Sequence, residues 1–223
     1  MRIVAFVPIK LNNERLPGKN TKSFDNGEPL IAYILNTLLA VNGIDDIYVY
    51  CSSEAICDYL PEGVKYIKRD TYLDLSSTSF NEVLSSFAEN VVADYYILTH
   101  ATAPFISTST FEKAIEAIKS GEYDSALSVS ELKEFLWKGD SPFNYSPEAI
   151  PRTQDLEPLF YETCGMYVYS RDLILKKNRR VGYSPCLIHV SKIEALDIND
   201  SMDFEICNAV YNLRNREKLN DSM

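Results

Sequence analysis

Four basic side chains gather just beyond the first apolar run of the sequence. Lys10, Arg15 and Lys19 lie within VPIKLNNERLPGKN, and Lys22 follows closely. A turn after a strand that combines exposed backbone N–H groups with cations is a common way to hold phosphates. Gly18 is the only glycine in this turn, so neither the GxGxxG nor the GxxxxGK[ST] pattern is met. A solvated charged loop would have the same composition. The chain carries a net charge of −10, so this cluster is a local exception, and its position just after the first strand adds weight to the phosphate reading.

The elements that must position this loop are legible from hydrophobic periodicity. RIVAFVPI reads as a strand buried on both faces, and residues 28–42 as a helix with Ile31, Ile34, Leu35, Leu38 and Leu39 inward. DIYVYCS, VKYIK, DYYILTH and DSALSVS read as further strands. SFNEVLSSFAENV and STFEKAIEAIKSG have helical spacing, the second ending at Gly121. Strands alternating with amphipathic helices predict an α/β fold, a mostly parallel sheet flanked by helices. In such a sheet ligands bind at the carboxyl ends of the strands, where the basic loop sits. Residues 131–160 break the pattern: they are rich in Pro and aromatics and hold the only Trp. They are read as an excursion from a single domain spanning 1–223. ETCGMYVYSRD, SPCLIHVS and a last helix with Ile206, Ala209, Val210 and Leu213 inward return to the core, followed by a disordered tail at 215–223.

At this point several motifs converge. VPIKLNNERLPGKN resembles the N-terminal signature of the acylneuraminate (CMP-sialic acid) cytidylyltransferases. LSSTSF, LTHATAPF, IPRTQDLEP with CGMYVYSRD, and EALDINDSMDFE resemble four later motifs of that family, in the same order and over nearly the whole chain. The resemblance implies a Rossmann-like nucleotidyltransferase fold in which CTP and a nonulosonic acid, a nine-carbon 2-keto sugar acid, give a CMP-sugar and pyrophosphate. It also implies Mg²⁺ as cofactor, and a homodimer made through residues 131–160 as a protruding arm. Phe135, Leu136, Trp137 and Phe143 would then be interface residues, as exposed aromatic clusters often are.

Carried over position by position, the resemblance implies nucleotide contacts from Lys10, Asn13, Arg15, Lys19, Asn20, Arg69, Ser77, Thr78 and Ser79. Lys10 stands in place of an arginine, Asn13 of a serine, and Glu14 of a lysine, which inverts a charge; Arg15 could supply the missing cation. His100, Arg152 and Tyr167 fall on the sugar side. Asp197 and Asn199 fall on the metal-binding segment, with Asn199 where the family has a second aspartate. Lys10, Lys19 and Asp197 are the expected catalytic residues. Asp200 and Asp203 could assist the metal or cap the last helix. His100 could contact substrate, accept a proton, or be a satisfied core histidine, and His189 is read as structural.

Composition bounds the alternatives. The acidic balance argues against a nucleic-acid or anionic-membrane partner. Five cysteines without CxxC spacing suggest a reduced, cytoplasmic protein. No apolar run approaches the roughly 18 residues of a membrane span. Two other readings stay open: a cytidylyltransferase for another 2-keto acid such as 3-deoxy-octulosonate, and a non-catalytic nucleotide-binding homologue, which Glu14 and Asn199 motivate.

Overall fold

A computed structural model describes residues 1–221 except Glu14 and Asn26, with side chains through Arg216. Seven strands form one sheet in the order β3-β2-β1-β4-β8-β5-β9. They are β1 (Ile3–Ile9), β2 (Asp46–Cys51), β3 (Val64–Lys68), β4 (Tyr95–Thr99), β5 (Ser125–Leu132), β8 (Leu159–Ser170) and β9 (Pro185–His189). The short strands β6 (Trp137–Lys138) and β7 (Ser141–Pro142) make a separate hairpin. Helices α1 (Leu30–Leu39), α2 (Phe80–Asn90) and α3 (Thr108–Ser120) connect the strands, and α4 (Arg171–Lys177) and α5 (Ser201–Asp221) follow β8 and β9.

The sheet is mostly parallel, as its sequence pattern implies. β1 pairs in parallel with both β2 and β4, and β5 with β9. β8 runs antiparallel between β4 and β5. Strand order reverses at β1, so the carboxyl ends of β1 and β4 flank a topological switch point, where open α/β sheets bind ligands.

Alternation along β1 divides the interior. Ile3, Ala5, Val7 and Ile9 pack with α1 and α3 on one face; Val4 and Phe6 pack with α2 on the other. There Phe6 stacks on Phe87 with ring centroids 3.9 Å apart. Ser79 starts α2 through a capping box with Glu82, which sets where the helix begins beside the switch point.

A third, smaller cluster lies apart from both faces. Leu16 and Phe24 of the loop after β1 meet Leu30, Phe105, Ile198, Phe204 and Cys207. Through it α5 docks on the basic loop. The inward face of α5 therefore differs from expectation: Phe204 and Cys207 are buried, whereas Ile206 and Leu213 are exposed. Two apolar stripes compete on this helix, and the aromatic surface offered by Phe24 and Phe105 selects one. α5 also continues through part of the expected disordered tail, to Asp221; side chains beyond Arg216 lie outside the described residues.

The expected excursion at 131–160 is shorter than its pattern implied: its two ends pair in the sheet, Glu131 with Phe160 and Leu132 with Leu159, and between them lie the hairpin β6–β7 and a turn at Thr153–Asp155. Phe135, Trp137 and Phe143 are exposed, Leu136 is half-buried, and Phe135 packs on Tyr145. All five cysteines are free thiols. Among the described residues no helix is long and apolar enough to cross a membrane.

Candidate active site

The loop after β1 is built to return on itself. Gly18 adopts φ 66°, a left-handed conformation that a side chain would strain, and Lys19 N–H then reaches Leu16 O at 3.1 Å. A turn of 3₁₀ helix at Lys19–Thr21 follows. The buried Asn20 donates from Nδ2 to Lys10 O at 3.0 Å, which ties the turn to the end of the strand. Lys10, Arg15 and Lys19 are thereby gathered around one cavity of about 300 Å³, together with Asn12, Asn13, Leu16, Ser76 and Asn199. Lys22 leaves the group and lies 4.8 Å over the Phe204 ring.

The segment before α5 closes the far wall. Lys19 Nζ donates to Ile198 O at 2.8 Å, and Ile198 N–H donates to Thr102 O at 2.9 Å. Asn199 Nδ2 donates to Asp197 Oδ2 at 2.9 Å, while Arg15 Nη2 donates to Asn199 Oδ1 at 3.2 Å. Asp203 accepts from the Asn199 and Asp200 amides, and Asp200 Oδ1 from the Met202 and Asp203 amides. These two carboxylates are thus helix caps, leaving Asp197 as the acid beside the cations.

Burial lowers the pKa of the Lys19 ammonium, and Arg15 adds to that, against the opposing charges of Asp197 and Asp203. Lys10 lines the same cavity with no side-chain partner among the described residues. Among the described residues no hydrogen-bond donor reaches the buried Asn13 Oδ1. A partly desolvated Lys19 beside two further cations and a buried acceptor without a donor among the described residues is a poorly satisfied arrangement, and a polyanion carrying hydroxyl or amino donors would satisfy it. Glu14 lies outside the described residues.

The other predicted residues divide. Thr78 Oγ1 donates to Tyr72 O, and Ser79 is engaged in the cap of α2; it is Ser76, just upstream of Ser77, that faces the cavity. Arg69 is buried, paired to Asp74 and 5.8 Å over the Tyr50 ring, its Nε without a partner among the described residues. Arg152 sits on the exposed arm, held bidentately by Asp155, and is not brought to the cavity. His189 is exposed at the end of β9, edge-on to Phe160, rather than enclosed in its strand.

His100 directly follows β4, with its ring 5.6 Å from Phe80. Desolvation, opposed by Asp197 and assisted by Arg180 and Lys19, pushes its pKa down to about 4. It is therefore neutral at physiological pH, able to exchange hydrogen bonds with a ligand but weak as a base. From about pH 6.5 down to 4 the unfolded chain takes up a proton here that the folded chain does not, so folding stability falls with pH. His100→Gln removes that penalty. Its stability, measured by denaturant unfolding, is expected to fall less than wild type between pH 6.5 and 4, by roughly 2–3 kcal/mol; parallel profiles would contradict the assignment.

Tyr167 is buried in β8, and sequence reasoning missed what surrounds it. The register of β8 on β5 shifts between Leu127 and Val129, and Cys164 takes φ 58° within the bulge. Glu162 and Tyr167 meet across it, the phenol donating to Glu162 Oε2 at 2.5 Å. The Arg180 guanidinium lies 3.9 Å over the Tyr167 ring. The basic run KKNRR was visible in the sequence, but nothing local marked Arg180 as facing the sheet.

The family model for cytidylyltransferases matches residues 4–216. The N-acylneuraminate cytidylyltransferase of Streptococcus agalactiae serotype V is 24% identical over 221 residues, covering 92% of this chain and 52% of that protein. The chain thus spans about half the length of the first curated relatives it matches. The CMP-N,N'-diacetyllegionaminic acid synthase of Legionella pneumophila is 28% identical, covering 98% of this chain and 100% of that protein. Among solved structures, CMP:2-keto-3-deoxy-manno-octonic acid synthetase complexed with CTP superposes with a TM-score of 0.73 at 16% identity, covering 96% of this chain and all of that one.

Proposed function

This chain belongs to the cytidylyltransferase family, and from that premise we propose that it transfers the cytidylyl group of CTP to the anomeric hydroxyl of a nonulosonic acid. The hydroxyl oxygen bonds to the α-phosphorus and gives up its proton to solvent, as the bond from that phosphorus to the α,β-bridging oxygen breaks and pyrophosphate leaves. The observation that carries this reading is the convergence of Lys10, Arg15 and Lys19 on one cavity at the switch point. Fixed cations there offset the charge that grows on the leaving pyrophosphate without reorganising during the reaction. The buried Asn13 Oδ1, without a donor among the described residues, supports the reading as an acceptor for a nucleotide hydroxyl or amino group.

Mg²⁺ fits the donor set. Asp197 is a hard oxygen near Lys19, and the Asn199 carbonyl would add a second by giving up its bond from Arg15 Nη2; one or two such ligands suit this ion, which keeps several waters. Bound there, it would supply further neutralisation of the triphosphate. Asp197→Ala is expected to lower kcat/KM by about 100-fold or more and to raise the Mg²⁺ concentration for half-maximal rate. Turnover and Mg²⁺ dependence like wild type would remove Asp197 from this role.

The exposed aromatic side chains of Phe135, Trp137 and Phe143 on the arm support contact with a second copy of the chain.

The reaction is tested by pyrophosphate release from CTP and Mg²⁺ with a panel of nonulosonic acids and 3-deoxy-octulosonate. Release with a nonulosonic acid is the expected result. Release only with the octulosonate would transfer the reading to that acceptor, the substrate class of the solved neighbour. A CTP-dependent thermal shift without any release would make the chain a binding homologue.

A further inference from the structure

One side chain of the candidate site meets a cation at one end and an acid at the other. Asn199 Oδ1 accepts from Arg15 Nη2 at 3.2 Å, and Asn199 Nδ2 donates to Asp197 Oδ2 at 2.9 Å. The amide oxygen and one oxygen of Asp197, the donors that suit a divalent cation, are therefore each covered by an N–H group.

We propose that Asn199 is a positioning residue that links the anion-binding cation to the metal ligand: it keeps Asp197 engaged until an anion on Arg15 releases the amide. The identity of that anion as a nucleoside triphosphate rests on the cytidylyl-transfer reading above; the coupling of the three side chains does not.

Only an amide can make this link. Reversed, the Asn199 side chain would set its NH₂ against the guanidinium and its oxygen against the carboxylate, so its neighbours fix its orientation. An aspartate here could still accept from Arg15, but it has no donor for Asp197 and would repel it. The position where this chain carries an amide in place of a second acid is thus the one that ties its cation to Asp197.

The side chain is the part of Asn199 left free to move. Its backbone N–H donates to Asp203 Oδ2 at 2.8 Å. Before it, the buried Ile198 accepts from Lys19 Nζ at 2.8 Å and donates to Thr102 O at 2.9 Å. With the backbone pinned on both sides, release of the amide is a rotation rather than a shift of the segment.

Arg15 is the end of the link that a ligand can reach. It is exposed, lines the cavity with Lys10 and Lys19, and among the described residues makes its one hydrogen bond to Asn199. A phosphate oxygen is a stronger acceptor for a guanidinium than a neutral amide, because both ends of the bond are then charged. Phosphate on Arg15 frees the amide oxygen and removes the contact that orients the amide on Asp197. Both oxygens then become available together.

Mn²⁺, an oxygen-preferring divalent ion followed by its paramagnetism, is titrated into the nucleotide-free protein to test the link. Arg15→Ala should tighten Mn²⁺ binding about 10-fold, since the amide and Asp197 are released. In the Asn199→Ala background the same substitution should gain less than about threefold. Asn199→Asp should bind more tightly than wild type and Asp197→Ala should abolish binding, which places the ion at this site. In EDTA, CTP should bind Asn199→Ala roughly 3- to 10-fold more tightly than wild type, because Arg15 is already free. Thermal unfolding in EDTA checks that each variant is folded. An equal gain from Arg15→Ala in both backgrounds would mean that Arg15 acts by its charge alone, and would overturn the proposal. CTP binding that is present but unchanged or weaker in Asn199→Ala would overturn it too; pyrophosphate release would leave the reaction standing in either case. The expected Mn²⁺ results without any CTP binding would uphold the link and overturn the reaction.

Discussion

Lys19→Ala is expected to lower kcat/KM for cytidylyl transfer by about 100- to 1,000-fold, the usual effect of removing one preorganised donor from a developing anionic charge. The side chain is part-buried, its ammonium pKa is lowered mainly by desolvation, and Arg15 adds like charge. A cation kept in such surroundings gains more from an incoming triphosphate than a solvated one, because the ligand compensates a cost that folding has already incurred. The variant also loses the bond to Ile198 O, so thermal unfolding without ligand must be compared. Steady-state kinetics within threefold of wild type would show that Lys19 supports only the wall of the cavity.

The second large effect concerns stability. Asp74→Ala should destabilise the protein by about 3–5 kcal/mol, since it leaves the Arg69 guanidinium buried without its counter-ion. For a chain of this size that corresponds to a fall in Tm of roughly 6–20 °C. Ser52 Oγ, which donates to the other Asp74 oxygen at 2.5 Å, loses its acceptor too. Replacing both members, Arg69→Leu with Asp74→Ala, should cost less than Asp74→Ala alone, because no charge is then stranded. Denaturant unfolding decides the matter: a double variant as unstable as the sum of the singles would mean that the pair is not coupled.

The contrast between these two basic residues explains what sequence could and could not reveal. Lys10, Arg15 and Lys19 come from one loop beyond a clearly apolar strand, so their convergence is written in a short stretch. Arg69 falls at a matching motif position, but its partner Asp74 and its enclosure by Tyr50 depend on a turn of 3₁₀ helix that no periodicity announces. Arg180 is harder still, since its meeting with Tyr167 needs the order β4-β8-β5, and strand order is set by contacts between distant segments. The same holds for β8. Its apolar character marks it as a core strand, yet nothing in its residues distinguishes antiparallel from parallel insertion. For α5, local pattern offered two faces, and a neighbour far away in the chain chose between them.

That choice has a consequence for how the molecule can vary. The small cluster of Leu16, Phe24, Phe105, Ile198, Phe204 and Cys207 joins the basic loop to the segment carrying Asp197, and it shares no member with the two layers that hold the sheet together. The scaffold and the chemical apparatus therefore have separate keystones. A substitution at Phe204 or Cys207, neither of which lines the cavity, would loosen the spacing between cations and carboxylate while leaving the sheet intact. Drift on the inner face of the last helix is thus a route by which this fold could retune the cation-lined cavity without touching a residue that lines it.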